Sequence, residues 1–79
     1  MKINGYFNTF DIYLAAILVS LGFEISKLDR TDTKRVEFCF KHNEKLDEIV
    51  QRYWDKELSL EPQALFANLK QLKNRIYST

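Results

Sequence analysis

The side chains best suited to covalent chemistry lie in the middle of the chain, where Cys39 and His42 are three positions apart. A cysteine next to a histidine can act as a nucleophile with its base. In the extended strand predicted here, however, an offset of three directs the two side chains to opposite faces. The chain also has only two glycines and no glycine-rich phosphate loop. We therefore expect a protein that is not an enzyme and has no catalytic residues.

Three carboxylates follow the histidine, at Glu44, Asp47 and Glu48. Helical offsets of three and four put them on one face, where they could hold a hard cation such as Mg²⁺. They also fall near the start of a predicted helix, whose positive end favours acidic side chains. We favour this second interpretation and expect no metal or cofactor.

The same helix ends near Trp54, the single tryptophan of the chain. It is either the last core residue of the helix or an anchor for a partner, because tryptophan is enriched at binding hot spots. Together with the acidic face, it forms the candidate protein-binding set of Glu44, Asp47, Glu48 and Trp54.

A second candidate surface combines aromatic and basic side chains near the end of the chain. Phe66, Lys70, Lys73 and Tyr77 follow offsets of four, three and four, which form one column on a helix. Such a column can stack bases and neutralise phosphates. Alternatively, Phe66 and Tyr77 widen the buried stripe and the lysine stems cover them. The predicted hairpin adds further bases to this candidate nucleic-acid surface: Arg30, Lys34 and Arg35, extended by the outward-facing Lys27 and Lys41.

Charge is segregated along a chain that is close to neutral overall. The formal net charge of the 79 residues is +1, which gives no general attraction to nucleic acid or to anionic lipid. Residues 43–61 carry six acids and three bases, whereas residues 62–79 carry three bases and no acid. Binding therefore depends on local arrangement, which allows either a protein partner or a nucleic acid.

The first element to position these surfaces is a helix over roughly residues 9–21. Asn8 or Thr9 is the predicted N-cap, and Gly22 ends the helix. About twelve residues span about 18 Å, which is short of the roughly 30 Å of a bilayer core. Because the segment is apolar on every side, we expect it to lie at the centre of the protein; the alternative is a partly exposed surface for a dimer or another partner.

Two strands and two further helices follow. RVEFCFK alternates as a strand with one buried face. The weaker strand FEISKLDR needs a bulge near Lys27 to bring Leu28 into phase. Asn43 is the predicted cap of the second helix, and Pro62 falls in the first turn of the third. The core stripe of that third helix is Leu65, Leu69, Leu72 and Ile76.

These elements predict an α+β fold in a single compact domain over residues 1–79, with an ordered core from about 7 to 77. The order is α-β-β-α-α, with an antiparallel β-hairpin packed against three helices and the first helix central. The two open edges of the hairpin predict edge pairing in a homodimer. One cysteine and no signal-peptide pattern lead us to expect a cytoplasmic protein.

Several segments resemble a family of short bacterial and phage domains of unknown function. The resemblance is carried by NTFDIYLAAIL with Gly22, RVEFCF, RYW before Pro62, and LFANLKQLKNRIY. It covers residues 7 to 77 and implies a small α+β fold in a phage or mobile-element setting, with no catalytic residues. We thus expect a protein-interaction module, an adaptor or inhibitor; the alternative is a nucleic-acid-associated accessory domain.

Overall fold

The computed structural model describes residues 5–32 and 34–77. It contains three helices and three strands, which confirms the α+β class. The first strand was not predicted, and with it the order is β-α-β-β-α-α. The elements in chain order are β1 (Tyr6–Thr9), α1 (Ile12–Ser20), β2 (Ile25–Asp29), β3 (Glu37–Lys41), α2 (Glu44–Trp54) and α3 (Pro62–Tyr77).

The three strands form one antiparallel sheet in the order β1-β3-β2. β1 pairs with the edge of β3 that the hairpin leaves open, and Phe7 comes to lie opposite Phe40. The prediction that both hairpin edges are open is therefore wrong for β3, which is central. Within the described sheet, only the outer edges of β1 and β2 have no neighbouring strand.

The bulge predicted near Lys27 is confirmed. Ile25 lies opposite Phe40, but Lys27 lies opposite Cys39, so the register shifts between Ile25 and Lys27. One extra residue in β2 returns Leu28 to the face that packs on the helices, opposite Phe38.

The N-cap of α1 is Asp11, and the prediction of Asn8 or Thr9 is wrong. Asp11 Oδ1 accepts hydrogen bonds from the backbone N–H groups of Tyr13 (2.9 Å) and Leu14 (3.3 Å). Asn8 and Thr9 cannot cap the helix because both belong to β1. Gly22 follows the helix with a φ of +100°, as predicted for a left-handed residue at a helix end. None of the helices in the described ranges is long and apolar enough to span a membrane.

The centre of α1 is fully enclosed, as expected. Ala15, Ala16 and Leu18 have no exposed surface, and they belong to one core cluster with Phe40 of the sheet and Leu72 of α3. Small side chains on α1 allow neighbouring elements to approach closely. The enclosure ends at the first turn of the helix, where Tyr13 is 56% exposed.

A partly buried hydrogen bond joins the start of α1 to the end of α2. The Tyr53 hydroxyl donates to Asp11 Oδ2 at 2.8 Å, while Oδ1 of the same carboxylate caps α1. Burial, reinforced by the Asp11 carboxylate as acceptor and negative charge, raises the pKa of Tyr53 to about 12. Both effects disfavour the phenolate, so this contact requires a protonated tyrosine.

The raised pKa predicts a stability change in alkali. Because the folded pKa of about 12 lies above the ordinary value of 10.0, the contribution of Tyr53 is complete below pH 10 and is lost as the pH rises through about 12. We expect Tyr53→Phe to lower the free energy of unfolding by about 1 kcal/mol at neutral pH. Urea unfolding at a series of pH values should show this difference shrinking between pH 10 and 12.

The matched control is Tyr13→Phe, which removes the same hydroxyl from a side chain that is 56% exposed. Because this hydroxyl lies mostly in solvent, Tyr13→Phe should change the free energy of unfolding at neutral pH by less than Tyr53→Phe does. Parallel pH profiles for Tyr53→Phe and the natural protein would show that the Asp11 contact does not stabilise the fold.

Candidate nucleic-acid interface

The aromatic and basic column of α3 faces solvent. Phe66 is 64% exposed and Tyr77 is 80% exposed, and Lys70 and Lys73 between them are exposed too. The helix packs on the core through the neighbouring stripe, as predicted. The alternative in which Phe66 and Tyr77 widen the buried stripe is therefore wrong.

The column has the dimensions of a short linear binding site. Tyr77 lies eleven positions after Phe66, which corresponds to about 16 Å along a helix axis. Lys70 and Lys73 form no ion pair with any residue in the described ranges. No acidic residue occurs between positions 62 and 77. Two unpaired ammonium groups thus lie between two exposed aromatic rings.

The tip of the β2–β3 hairpin is fastened to the end of this helix by Arg30. Its guanidinium donates from Nη1 to the Ile76 carbonyl (3.0 Å) and from Nη2 to the Arg75 carbonyl (3.1 Å). Carbonyls of the last helical turn lack partners within the helix, and the dipole favours a cation there. Arg30, predicted as a nucleic-acid contact, also holds the hairpin bases beside the column and lines the groove next to it.

A groove of about 450 Å³ lies between the hairpin tip and the end of α3. The Arg35 guanidinium lies 3.9 Å from the centre of the Phe10 ring, a cation–π contact that holds the guanidinium in place. Lys34 and Tyr77 also line the groove, so the hairpin bases and the column meet there. We call the whole surface the hairpin–α3 face, made of Phe10, Lys34, Arg35, Phe66, Lys70, Lys73 and Tyr77.

One carboxylate lies among these bases. Asp32 accepts the backbone N–H of Lys34 at 2.8 Å and pairs with Arg35 Nε at 3.3 Å. The Lys34 N–H, and secondarily Arg35, lowers the pKa of the Asp32 carboxyl. The groove therefore has three basic side chains, Arg30, Lys34 and Arg35, beside one acid. Lys27 lines a separate pocket with Tyr6 and Cys39, and Lys41 lies opposite Tyr6 at the far end of β3, so neither extends the hairpin–α3 face.

Sequence reasoning missed Phe10 and Asp32 in this groove. Phe10 carries no local signal for the role, since its partner Arg35 is 25 positions away and only the folded chain joins them. Asp32 lies within the polar segment RTDTK, close to three bases in the sequence. That proximity is a local signal that its carboxylate would lie among them.

The candidate protein-binding residues lie on α2, which contributes no side chain to the groove. Asn43 caps this helix as predicted and accepts the Leu46 N–H at 2.8 Å. Asp47 Oδ2 is 2.7 Å from His42 Nε2, and Glu44 and Glu48 are exposed. Among the described residues, no three acidic, histidine or cysteine side chains could hold a metal ion together.

Trp54 is 62% exposed at the end of α2, which excludes the interpretation of this residue as core. Its ring makes an edge contact with Tyr53, with ring centres 5.0 Å apart. The tryptophan is thus held against a structured neighbour while most of its surface faces solvent. This is the arrangement expected of an anchor for a partner.

Cys39 and His42 are not assembled as a nucleophile and base. Cys39 is buried in β3, and burial, with smaller effects from Glu37 and Asp29, raises the pKa of its thiol. A protonated thiol is a weak nucleophile. The imidazole of His42 bonds instead to Asp47.

The family described as "Domain of unknown function (DUF5659)" matches residues 4–78. The chain belongs to this family. The match spans every helix and strand described here for the chain, including the hairpin–α3 face and α2. It confirms the resemblance seen in the sequence to a family of unknown function. No match is found among curated proteins, nor among solved structures.

Proposed function

We propose that this domain is a small non-enzymatic binding module that associates with nucleic acid through the hairpin–α3 face. The observation that carries the proposal is the exposure of Phe66 and Tyr77 on either side of two lysines that form no ion pair with the described residues. Large aromatic side chains are normally buried in a domain of this size. Two exposed rings in one basic column therefore favour a surface that binds a ligand.

The two kinds of side chain supply complementary parts of the binding energy. Stacking of a base on an aromatic ring contributes about 1–3 kcal/mol. Lysine and arginine side chains that approach phosphates release counterions, which adds affinity that falls with salt. The groove lets Lys34 and Arg35 continue the basic surface beyond Tyr77.

The setting we propose is the cytoplasm of a bacterium, with a phage or mobile-element system as the context. The lone buried cysteine supports a reducing compartment. The bacterial and phage setting rests on the resemblance noted in the sequence. The small size of the domain, and the separation of the buried Cys39 from His42, which bonds to Asp47, support an accessory role.

The test is a titration with single- and double-stranded oligonucleotides at two salt concentrations. We expect salt-sensitive binding, and we expect Lys70→Ala with Lys73→Ala to reduce the slope of log affinity against log salt by about 1.4–1.8. The matched control is Lys41→Ala with Lys45→Ala, which removes two exposed lysines outside the hairpin–α3 face. Binding that does not respond to salt, or an equal loss of affinity in both double variants, would contradict the proposal.

A second candidate is a protein-interaction module, an adaptor or inhibitor, that uses α2. The observations in its favour are the 62% exposure of Trp54 and the exposure of Glu44, Asp47 and Glu48 on the same helix. Capture of one specific partner that Trp54→Ala abolishes and Tyr13→Ala retains would support it. A partner captured equally well by both variants would remove this support.

A further inference from the structure

The outer edge of β2 is an open strand edge. β2 pairs with β3 on one side and has no strand on its other side within the described sheet. Along β3, the backbone N–H and C=O groups of successive residues point alternately to β1 and to β2. The His42 N–H donates to the Gly5 carbonyl, on the β1 side, so every second residue from His42 back to Phe38 bonds to β1. The residues between them bond to β2. Lys27 and Asp29 lie opposite two of these residues, Cys39 and Glu37, so their backbone groups bond to β3. Leu28 lies between them, so its N–H and C=O point to the open edge.

Two opposite charges flank Leu28 on the face of the sheet away from the core. Lys27 lies opposite Cys39, and Asp29 lies opposite Glu37. The Lys27 ammonium forms no ion pair within the described part of the chain. Asp29 Oδ1 accepts the Thr31 N–H (2.9 Å) and hydroxyl (2.6 Å), and Oδ2 takes no hydrogen bond from the described residues.

The spacing of these charges is self-complementary. A second copy that pairs antiparallel about a two-fold axis at Leu28 places each Lys27 opposite Asp29 of the other copy. These are non-hydrogen-bonded positions, where Cα atoms are about 4.5 Å apart and side chains are closest. A slip of one residue would set Lys27 against Leu28 and turn side chains to the wrong face. The bulge before Lys27 also stops continuous pairing beyond this short segment.

We infer that the domain forms a homodimer in which the β2 edges of two copies pair antiparallel around Leu28, with two symmetric Lys27–Asp29 contacts. The two three-stranded sheets then form one continuous sheet. The expected hairpin-edge dimer is thereby assigned to one edge and one register. This inference is independent of the proposed nucleic-acid function, because Lys27 and Asp29 lie outside the hairpin–α3 face.

The test uses charge reversal and analytical ultracentrifugation over a wide concentration range. Lys27→Asp alone creates acid–acid contacts, and Asp29→Lys alone creates base–base contacts, so each should raise the dimer dissociation constant roughly tenfold or more. Mixing the two variants restores both opposite-charge contacts and should recover dimers of mixed composition. Lys41→Asp, on an exposed lysine of β3, is the control for the change in net charge.

Circular dichroism on each variant separates loss of pairing from loss of fold. If Asp29→Lys unfolds through loss of the Thr31 contacts, Asp29→Asn takes its place in the mixing experiment. Mixing Lys27→Asp with Asp29→Asn relieves the acid–acid repulsion. We expect more mixed dimers in this mixture than dimers of Lys27→Asp alone. A natural protein that stays monomeric at every concentration would overturn the inference. A dimer that Lys27→Asp and Lys41→Asp affect equally would also overturn it.

Discussion

Replacing Phe40 with alanine is expected to remove about 3–5 kcal/mol from the free energy of unfolding. Phe40 has no exposed surface and lies in the central strand, between Phe7 of β1 and Ile25 of β2. A domain of 79 residues has a total stability of about 4–12 kcal/mol at typical values per residue. The substitution therefore removes a large share of the stability, and a substantial unfolded fraction should be present in mild urea.

The matched control is Phe66→Ala, the same chemical change at a side chain that is 64% exposed. It should change the free energy of unfolding by no more than about 0.5 kcal/mol. Urea titration followed by far-ultraviolet circular dichroism measures both variants. Equal losses at the two positions would contradict the assignment of Phe40 to the core and of Phe66 to the surface.

The second large effect concerns binding rather than stability. Phe66→Ala with Tyr77→Ala is expected to weaken binding of a single-stranded oligonucleotide by a factor on the order of a hundred, because each ring that stacks a base contributes about 1–3 kcal/mol. Both side chains are exposed, so the double variant should remain folded. Fluorescence anisotropy of a labelled oligonucleotide measures the affinity.

Tyr13→Ala is the control for this experiment, because Tyr13 is a comparably exposed aromatic residue on α1 (56%). It should bind as the natural protein does. Unchanged affinity in the Phe66 and Tyr77 double variant would show that the column does not stack bases. In that case the lysine result alone would indicate nonspecific attraction to phosphate.

Features set by local sequence were predictable in this chain. Asn43 caps α2 and Pro62 opens α3, because both depend on residues within one helical turn. The bulge near Lys27 followed from the phase of Leu28 relative to Ile25. β1 was missed because four residues carry little periodic signal and their partner strand is about 30 residues away. The error at β1 caused the error at the α1 cap, since the strand displaces the helix start to Asp11.

Some features of the candidate site could likewise be predicted from local sequence, whereas others depend on the tertiary fold. Helical spacing predicted that Phe66, Lys70, Lys73 and Tyr77 form one column, but it could not show whether the rings are exposed. The column borders the core stripe, so its exposure depends on how far the neighbouring elements extend. The contacts of Arg30 with the end of α3 join positions 45 and 46 residues apart, and only the tertiary fold brings them together.

The most direct test of the central claim is amide chemical-shift mapping by nuclear magnetic resonance as a short single-stranded oligonucleotide is added. We expect perturbations centred on Lys70, Lys73 and Tyr77 that continue to Lys34 and Arg35 across the groove and weaken as salt is added. Perturbations centred on Trp54 and the acidic face of α2, or no perturbation at low salt, would contradict the assignment of the hairpin–α3 face as a nucleic-acid interface.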